Sequence, residues 1–456
     1  TMFGLDDALI ETQTYYKNNT SYKESNKYTG LLEGYNIIFV HMESIQSFLL
    51  DLSFNGEDVL PTVKSLINEG MYFSNFYPQI SIGTSSDTEF TLLSSLLPTN
   101  SGIVFTNFNN RNYVTIPKLL NEKGHLNQAG YATSLVKEYR RQDIKAPALR
   151  IKEWDYYLIY NDRFAIALTM DDNAYMSMLS ASFIDFTVPC ETTVSPMGIM
   201  SMGKVGLPSS STAGVSHLKL ADKKNPADFT FTVENGMRKL QCRMDNFQNG
   251  KPFVCDITLT EEPRDSMVIA TPFPKAPKAF YYNQKIVGMR ASGSVSVDGK
   301  LYTFDPSETF GLLDWGRGVW TYENTWYWGA GHGVVDGHVV GFNIGYGFGN
   351  SSAASENMIF VDGIAHKLEC VTFNIPQTKD GKDDFLKPWT FTSTDGRFEM
   401  DFLPVIDRAS CTDVKLICSD QHQVFGKFTG KMVLDDGTEI QLKDFMGFAE
   451  KVHNKW

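Results

Sequence analysis

The first 124 residues contain no cysteine and a single histidine, His41, so this stretch can build neither a disulfide nor a thiolate or multi-histidine metal centre. The chain also lacks any run approaching the ~18 apolar residues of a membrane-crossing helix, and no bilayer span is expected within it. Positive charge is in short supply, with 41 Lys and Arg against 53 Asp and Glu and a net charge of −12. Nucleic acid and anionic membrane surfaces demand clustered cations, so neither is expected as the main partner. All six cysteines (Cys190, Cys242, Cys255, Cys370, Cys411, Cys418) follow Gly124, and they form no paired metal-binding spacing. They read as reduced core residues.

Long helical patterns are scarce after Gly124, and neither a strict repeat nor a low-complexity tract is present. What is there divides at that glycine. Residues 1–34 are polar and read as a linker or surface helix; the chain opens at Thr1 without a methionine or a leader pattern, so sequence is expected to be missing upstream. Tyr35–His41 is apolar and β-branched, the pattern of a strand buried on both faces in a parallel sheet. Glu43 follows at its carboxyl end, where open α/β sheets place ligands. Pro61 and Gly70 bracket a helix, Met71–Phe76 reads as a strand, and Asp87–Leu97 as a second helix with Thr84, Ser85 and Ser86 at its mouth.

A hydroxyl at a helix amino terminus is placed to attack phosphorus or sulfur, because the helix end and a bound metal stabilise the alkoxide and the anionic group. The segment Gly83-Thr-Ser-Ser-Asp-Thr-Glu-Phe90, with Phe39-Val-His-Met-Glu-Ser44 upstream, resembles the alkaline phosphatase and sulfatase superfamily, in its lipoteichoic acid synthase-like branch. The resemblance implies a manganese or magnesium ion held by Glu43, a nucleophile at Ser85 or Thr84, and a membrane-anchored, extracytoplasmic relative. It covers only about the first 124 residues, of which 35–124 are read as the truncated α/β fragment. The family's remaining ligands, an Asp-His pair and a further histidine, have no counterpart here, so Glu43 and Ser85 stand as an incomplete metal set and the fragment is expected to be inactive.

Residues 125–456 change to short alternating segments such as Trp154–Tyr160 and Asp228–Val233, which predict a mainly-β module of two barrel-like halves. Its densest chemistry runs from Asp314 to Asn357: Asp314, Trp315, Arg317, Trp320, Tyr322, Asn324, Trp326, Trp328, then Asn343 within the glycine-spaced Gly341–Gly349, then Glu356. Trp and Tyr line clefts as readily as they fill cores. If Asp314 and Arg317 both point inward they must pair with each other or meet a polar ligand. His332, His338 and His366 are not spaced as a metal set.

With Gly130-Tyr131 and Lys152-Glu-Trp-Asp-Tyr156, these residues resemble the domain-of-unknown-function family 2804 over residues 122–456. The resemblance implies a double lipocalin-like barrel or sandwich. The chain is therefore read as a truncated sulfatase-like α/β fragment fused to a β module that binds or converts an apolar or amphipathic small molecule, with no cofactor of its own and a cytoplasmic setting favoured. Two other readings stay open: a metal-dependent phosphoryl or sulfuryl ester hydrolase or glycerophosphate transferase using Ser85 and Glu43, and a fusion remnant without activity.

Overall fold

Alternation of large apolar and polar residues past residue 114 produces strands, and every pairing among them is antiparallel. The computed structural model describes residues 14, 39–43, 45–75, 77, 80, 82–94, 96–99, 102–107, 118–413 and 417–455. The chain divides into two compact units, residues 1–113 and residues 114–456.

In the first unit, Pro61–Glu69 forms helix α1, with proline in its first turn where no backbone donor is lost. Ser85–Ser94 forms helix α2. The strand expected over Tyr35–His41 falls partly outside the described residues, and its described end, Phe39 to His41, forms no strand. Met71 to Asn75 likewise form none, and Met71 and Phe73 are 62% and 67% exposed. A strand buried on both faces needs hydrogen-bonded neighbours and covering helices. Among the described residues this unit offers only a two-residue hairpin, Ser53–Phe54 with Glu57–Asp58.

The second unit holds a fourteen-stranded and a nine-stranded sheet, each curled so that its inner face closes on one core. Eight strands form the centre of the contact between them. The first sheet contributes β1 (Ile151–Tyr160), β2 (Phe164–Asp172), β3 (Phe280–Val297) and β4 (Phe310–Val319), in the order β2-β1-β4-β3. The second contributes β5 (Glu323–Val335), β6 (His338–Tyr346), β7 (Cys418–Val433) and β8 (Glu439–Lys455), in the order β6-β5-β8-β7. Only Trp320, Thr321 and Tyr322 separate β4 from β5, so the chain crosses between the sheets beside their contact.

Period-two geometry sorts β1 cleanly. Tyr157 and Ile159 enter the core of the first sheet, while Tyr156, Leu158 and Tyr160 face outward and join Leu312, Trp328, Ala330, Phe425, Met446 and Phe448 in a third apolar layer. Antiparallel strands usually leave one face to water. Here the second sheet covers it, which is why all ten residues of β4 are buried. Phe448, fully buried and 4.8 Å edge-on to Trp328, holds the middle of that layer. Truncating Phe448→Ala is expected to lower the stability of residues 114–456 by about 3–5 kcal/mol while keeping one unfolding transition in urea; two separated transitions would show that the sheets do not depend on their contact.

Candidate functional site

The hydroxyl-rich turn of the first unit is shaped by Asp87. Its buried carboxylate accepts the Gly83 backbone N–H at 3.1 Å, and a Cβ on Gly83 would lie 2.2 Å from Asp87 Oδ1, so only glycine fits. Thr84 takes a left-handed φ of 45° and its carbonyl accepts the N–H groups of Asp87 and Thr88, both at 3.2 Å. Ser85 opens α2, and its Oγ donates to Glu43 Oε1 at 3.3 Å. The structure therefore brings together the two residues singled out 42 positions apart. Among the described residues, no three His, Cys, Asp or Glu side chains gather to hold a metal. Glu43 and Ser85 alone supply fewer protein ligands than a resident ion of the implied kind requires, so this donor set does not fit one.

The aromatic segment of the second unit is split between two places. Asp314 and Arg317 do not pair, because residues three apart on a strand face opposite ways. Arg317 points into the first sheet, where its Nη2 reaches Asp155 Oδ1 at 3.0 Å and the Pro208 carbonyl at 2.8 Å, and its guanidinium lies 4.4 Å over the Trp315 ring. Trp315 is core there, edge-on to Tyr139 and Tyr282. Asn324 closes a turn with Thr321, and Tyr322 is exposed.

Asp314 points the other way, into the contact between the sheets. Its Oδ1 accepts from Asn283 Nδ2 at 2.5 Å and pairs with Lys285 Nζ at 3.2 Å. That ammonium also lies 3.8 Å over the face of Trp328. Trp328 Nε1 donates to Asn343 Oδ1 at 2.8 Å, and Asn343 Nδ2 donates to the backbone carbonyl of Glu356 at 2.8 Å. Asn357 anchors the same loop, accepting the Gly345 N–H at 2.7 Å. From β8, Glu450 accepts from Trp326 Nε1 at 3.1 Å and from Gln423 Nε2 at 3.0 Å. Gln423 in turn lies 3.3 Å from the Tyr156 hydroxyl. Of the ten ligand-binding candidates, Asp314, Trp326, Trp328, Asn343, Glu356 and Asn357 meet at this contact; Trp315, Arg317, Tyr322 and Asn324 do not.

An aromatic wall flanks these groups. Trp154 stacks on Tyr281 at 6.2 Å and meets Trp320 edge-on at 5.2 Å, while Phe348 touches Tyr281, Trp320 and Trp326 at 4.8, 4.8 and 5.4 Å. The acids beside this wall are buried but not sealed: Asp314, Glu356 and Glu450 each keep 8% of their surface. Burial pushes the Glu450 carboxyl up to about 7, against the opposing effect of its hydrogen bond from Trp326 and the nearby Lys285 charge. Burial also raises Glu356, with Lys285 opposing and Asp314 adding to the rise. A buried carboxyl near 7 can both hold and release a proton at neutral pH.

The sequence reading missed Lys285, Tyr281, Gln423 and Glu450. Lys285 is the one charge in the largely apolar Phe280–Met289, and Glu450 stands beside Lys451 in Met446–Val452; charge inside such a segment is the signal that was there to find. A cavity of about 360 Å³ opens elsewhere, between Tyr139, Arg141, Glu153 and Leu207. Its charges satisfy one another, Arg141 with Glu153 and Arg140 with Asp143, so it lacks the proton-exchanging acid of the inter-sheet site.

Residues 110–456 match the family model described as a Domain of unknown function (DUF2804), and residues 35–161 match the one described as Sulfatase. Lipoteichoic acid synthase 2 of Bacillus subtilis is 37% identical over 119 residues, which are 26% of this chain and 18% of that protein. The lipoteichoic acid synthase of Staphylococcus saprophyticus is 36% identical over 135 residues, 29% of this chain and 20% of that one. The chain thus spans about a fifth of the length of these curated relatives. Among solved structures, an AttH-type protein of Nitrosomonas europaea aligns with 69% of this chain and 97% of its own, at TM-score 0.42 and 13% identity. Kievitone hydratase of Nectria haematococca aligns with 75% and 97%, at TM-score 0.37 and 10% identity.

The raised Glu450 pKa fixes a pH dependence. The unfolded chain gives up this proton near pH 4.5 and the folded protein near 7, so the stability the group contributes is full below pH 4.5 and lost as pH rises through 7. Glu450→Gln cannot titrate. Urea unfolding of both proteins from about pH 4 to 8 is expected to show the variant gaining on the parent by on the order of 3 kcal/mol across that window; a difference independent of pH would refute the shift.

Proposed function

This chain belongs to the family of the Domain of unknown function (DUF2804), and from that premise we propose that the inter-sheet site binds an apolar or amphipathic small molecule and exchanges a proton with it. The observation that carries this reading is Glu450: a carboxyl with a pKa of about 7, oriented by Trp326 and Gln423, at the edge of an aromatic wall. Rings of this kind bury large flat areas of ligand, and the few polar groups among them fix its orientation. Trp154, Tyr281, Trp320, Trp326 and Phe348 form the binding surface. Asn343 and Asn357 hold the loop that carries Glu356, and the Lys285–Asp314 pair fixes the local field around Glu450. The reaction class that suits these groups is proton transfer, as in an isomerisation, with Glu450 as acid or base. Water is kept from the far side by the dry layer of Leu158, Leu312, Ala330 and Phe448.

The first unit lies outside this reading. It is a sulfatase-like fragment, and Ser85 with Glu43 does not complete a metal centre among the described residues. The neutral lipophilic probe N-phenyl-1-naphthylamine tests the proposal on the full chain. Binding should quench tryptophan fluorescence, Trp326→Ala should weaken it by about tenfold, and Glu450→Gln should leave it within about twofold, because that acid serves the proton step and not the grip. An unquenched protein, or a probe equally well bound after Trp326→Ala, would remove the ligand site from this surface.

A further inference from the structure

The groups of the inter-sheet site differ in how far they are already satisfied. Asp314 accepts from Asn283 and Lys285, and Glu450 from Trp326 and Gln423. Asn343 and Asn357 each use both ends of the amide, Asn357 donating to the Glu369 carbonyl at 2.6 Å. Glu356 is the exception. Its backbone is held, but among the described residues no hydrogen bond and no ion pair reaches its side-chain carboxyl, which is 92% buried and passes 3.8 Å from the position of a Cβ on Gly345. An unpaired buried carboxyl is expensive, so a protein keeps one where something outside the chain completes it.

The surroundings narrow what that is. The charges facing Glu356 are Lys285 on β3, Asp314 on β4 and Lys367 on the strand Ile364–Lys367. Lys367 is spent on its own oxygens, those of Ser355, Asn357 and Leu368. Glu450 stands nearby, felt by both Lys285 and Arg408, and Arg408 is engaged with Ser182 Oγ at 2.7 Å. Lys285, Lys367 and Arg408 thus set three positive charges against three carboxyls, and Glu356 is the carboxyl that no donor among the described residues reaches. Lys285 already lies over the Trp328 face, and Tyr281, close enough to feel Glu356, Asp314 and Glu450, belongs to a cluster of rings with Trp154, Trp320 and Trp326. Aromatic faces beside a carboxyl that lacks a donor favour a cation and oppose an anion.

We propose that Glu356 is the anchoring acid of the site and that the ligand is an amphipathic amine, its ammonium paired with Glu356 and its apolar body laid on the Trp154–Trp326 wall. The inference rests on the ligand-binding reading above and names the head group that reading left open. It also divides labour between two acids. Glu356 binds the charge, and Glu450 remains the group that exchanges a proton.

Competition against bound N-phenyl-1-naphthylamine tests this with three probes of equal chain length: dodecylamine, dodecanol and dodecanoate, each below its aggregation concentration at pH 7. Dodecylamine should displace the neutral probe at a concentration at least about tenfold lower than dodecanol, with dodecanoate the weakest. Glu356→Gln should abolish the advantage of the amine over the alcohol and leave the alcohol unchanged. The selectivity of the unmodified protein is itself a test, so a variant that fails to fold does not shield the proposal. If dodecanol displaces the probe as well as dodecylamine does, the amine inference is wrong and the ligand site stands; if the probe never binds, the ligand site falls and the amine with it.

Discussion

Everything assigned to the second unit depends on β1 and β4 being buried on both faces. A curled antiparallel sheet has one core and, by default, one wet side. Covering that side with a second curled sheet creates a layer that neither sheet could form alone, in which Leu158, Leu312, Ala330 and Phe448 exclude water. The same stacking takes Asp314, Lys285, Glu356 and Glu450 out of solvent. The raised pKa values of Glu356 and Glu450 are thus consequences of sheet packing. Separate the sheets and Glu450 becomes an ordinary surface glutamate.

Burial alone would make such a cluster a liability. Taking a carboxylate from water costs several kcal/mol unless hydrogen bonds replace its hydration. The site answers this cost unevenly. Asp314 has a cation and an amide, Glu450 an indole and an amide, and the Glu356 carboxyl no hydrogen bond or ion pair among the described residues. A purely structural network would satisfy its weakest member as fully as the others. Inside the first sheet the buried guanidiniums each meet a carboxylate, Arg317 that of Asp155 and Arg238 that of Glu262 at 2.7 Å.

These relations were only partly legible in the sequence. The mainly-β character was plain, because short alternating segments between turn residues admit few other folds. The run Trp154–Tyr160 read as a short alternating strand and is one, but its alternation could not tell that a second sheet covers its outer face. Asp314 and Arg317 stood out as charges that, if inward, must pair or meet a polar ligand, but a sheet covered on both sides has two insides, and they occupy different ones. Lys285 and Glu450 lie 165 positions apart in sequence, on strands of different sheets, and no spacing rule joins them. In the first unit, the helix signals of proline and serine are local and held, whereas the strands expected at Tyr35–His41 and Met71–Phe76 needed neighbours that the described residues do not include.

The glycines make the closest link between sequence pattern and site. A Cβ on Gly316 would lie 1.9 Å from the Trp154 indole, so that ring can lie flat across β4 only because residue 316 has no side chain. On β6, a Cβ on Gly341 would lie 2.8 Å from Val287, which packs in from β3, and Gly345 leaves the space over which the Glu356 carboxyl passes. Each of these positions faces the other sheet. The alternation of glycine with large residues from Gly341 to Tyr346 therefore records two demands at once: the large members fill the inner core of the second sheet, and the absent side chains let the first sheet approach. Where the first sheet brings an aliphatic side chain, as at Val287, the approach is dry; where the Glu356 loop closes over Gly345, it leaves room for a carboxyl. The boundary between the dry layer and the polar site is thus set by what lies opposite each missing Cβ.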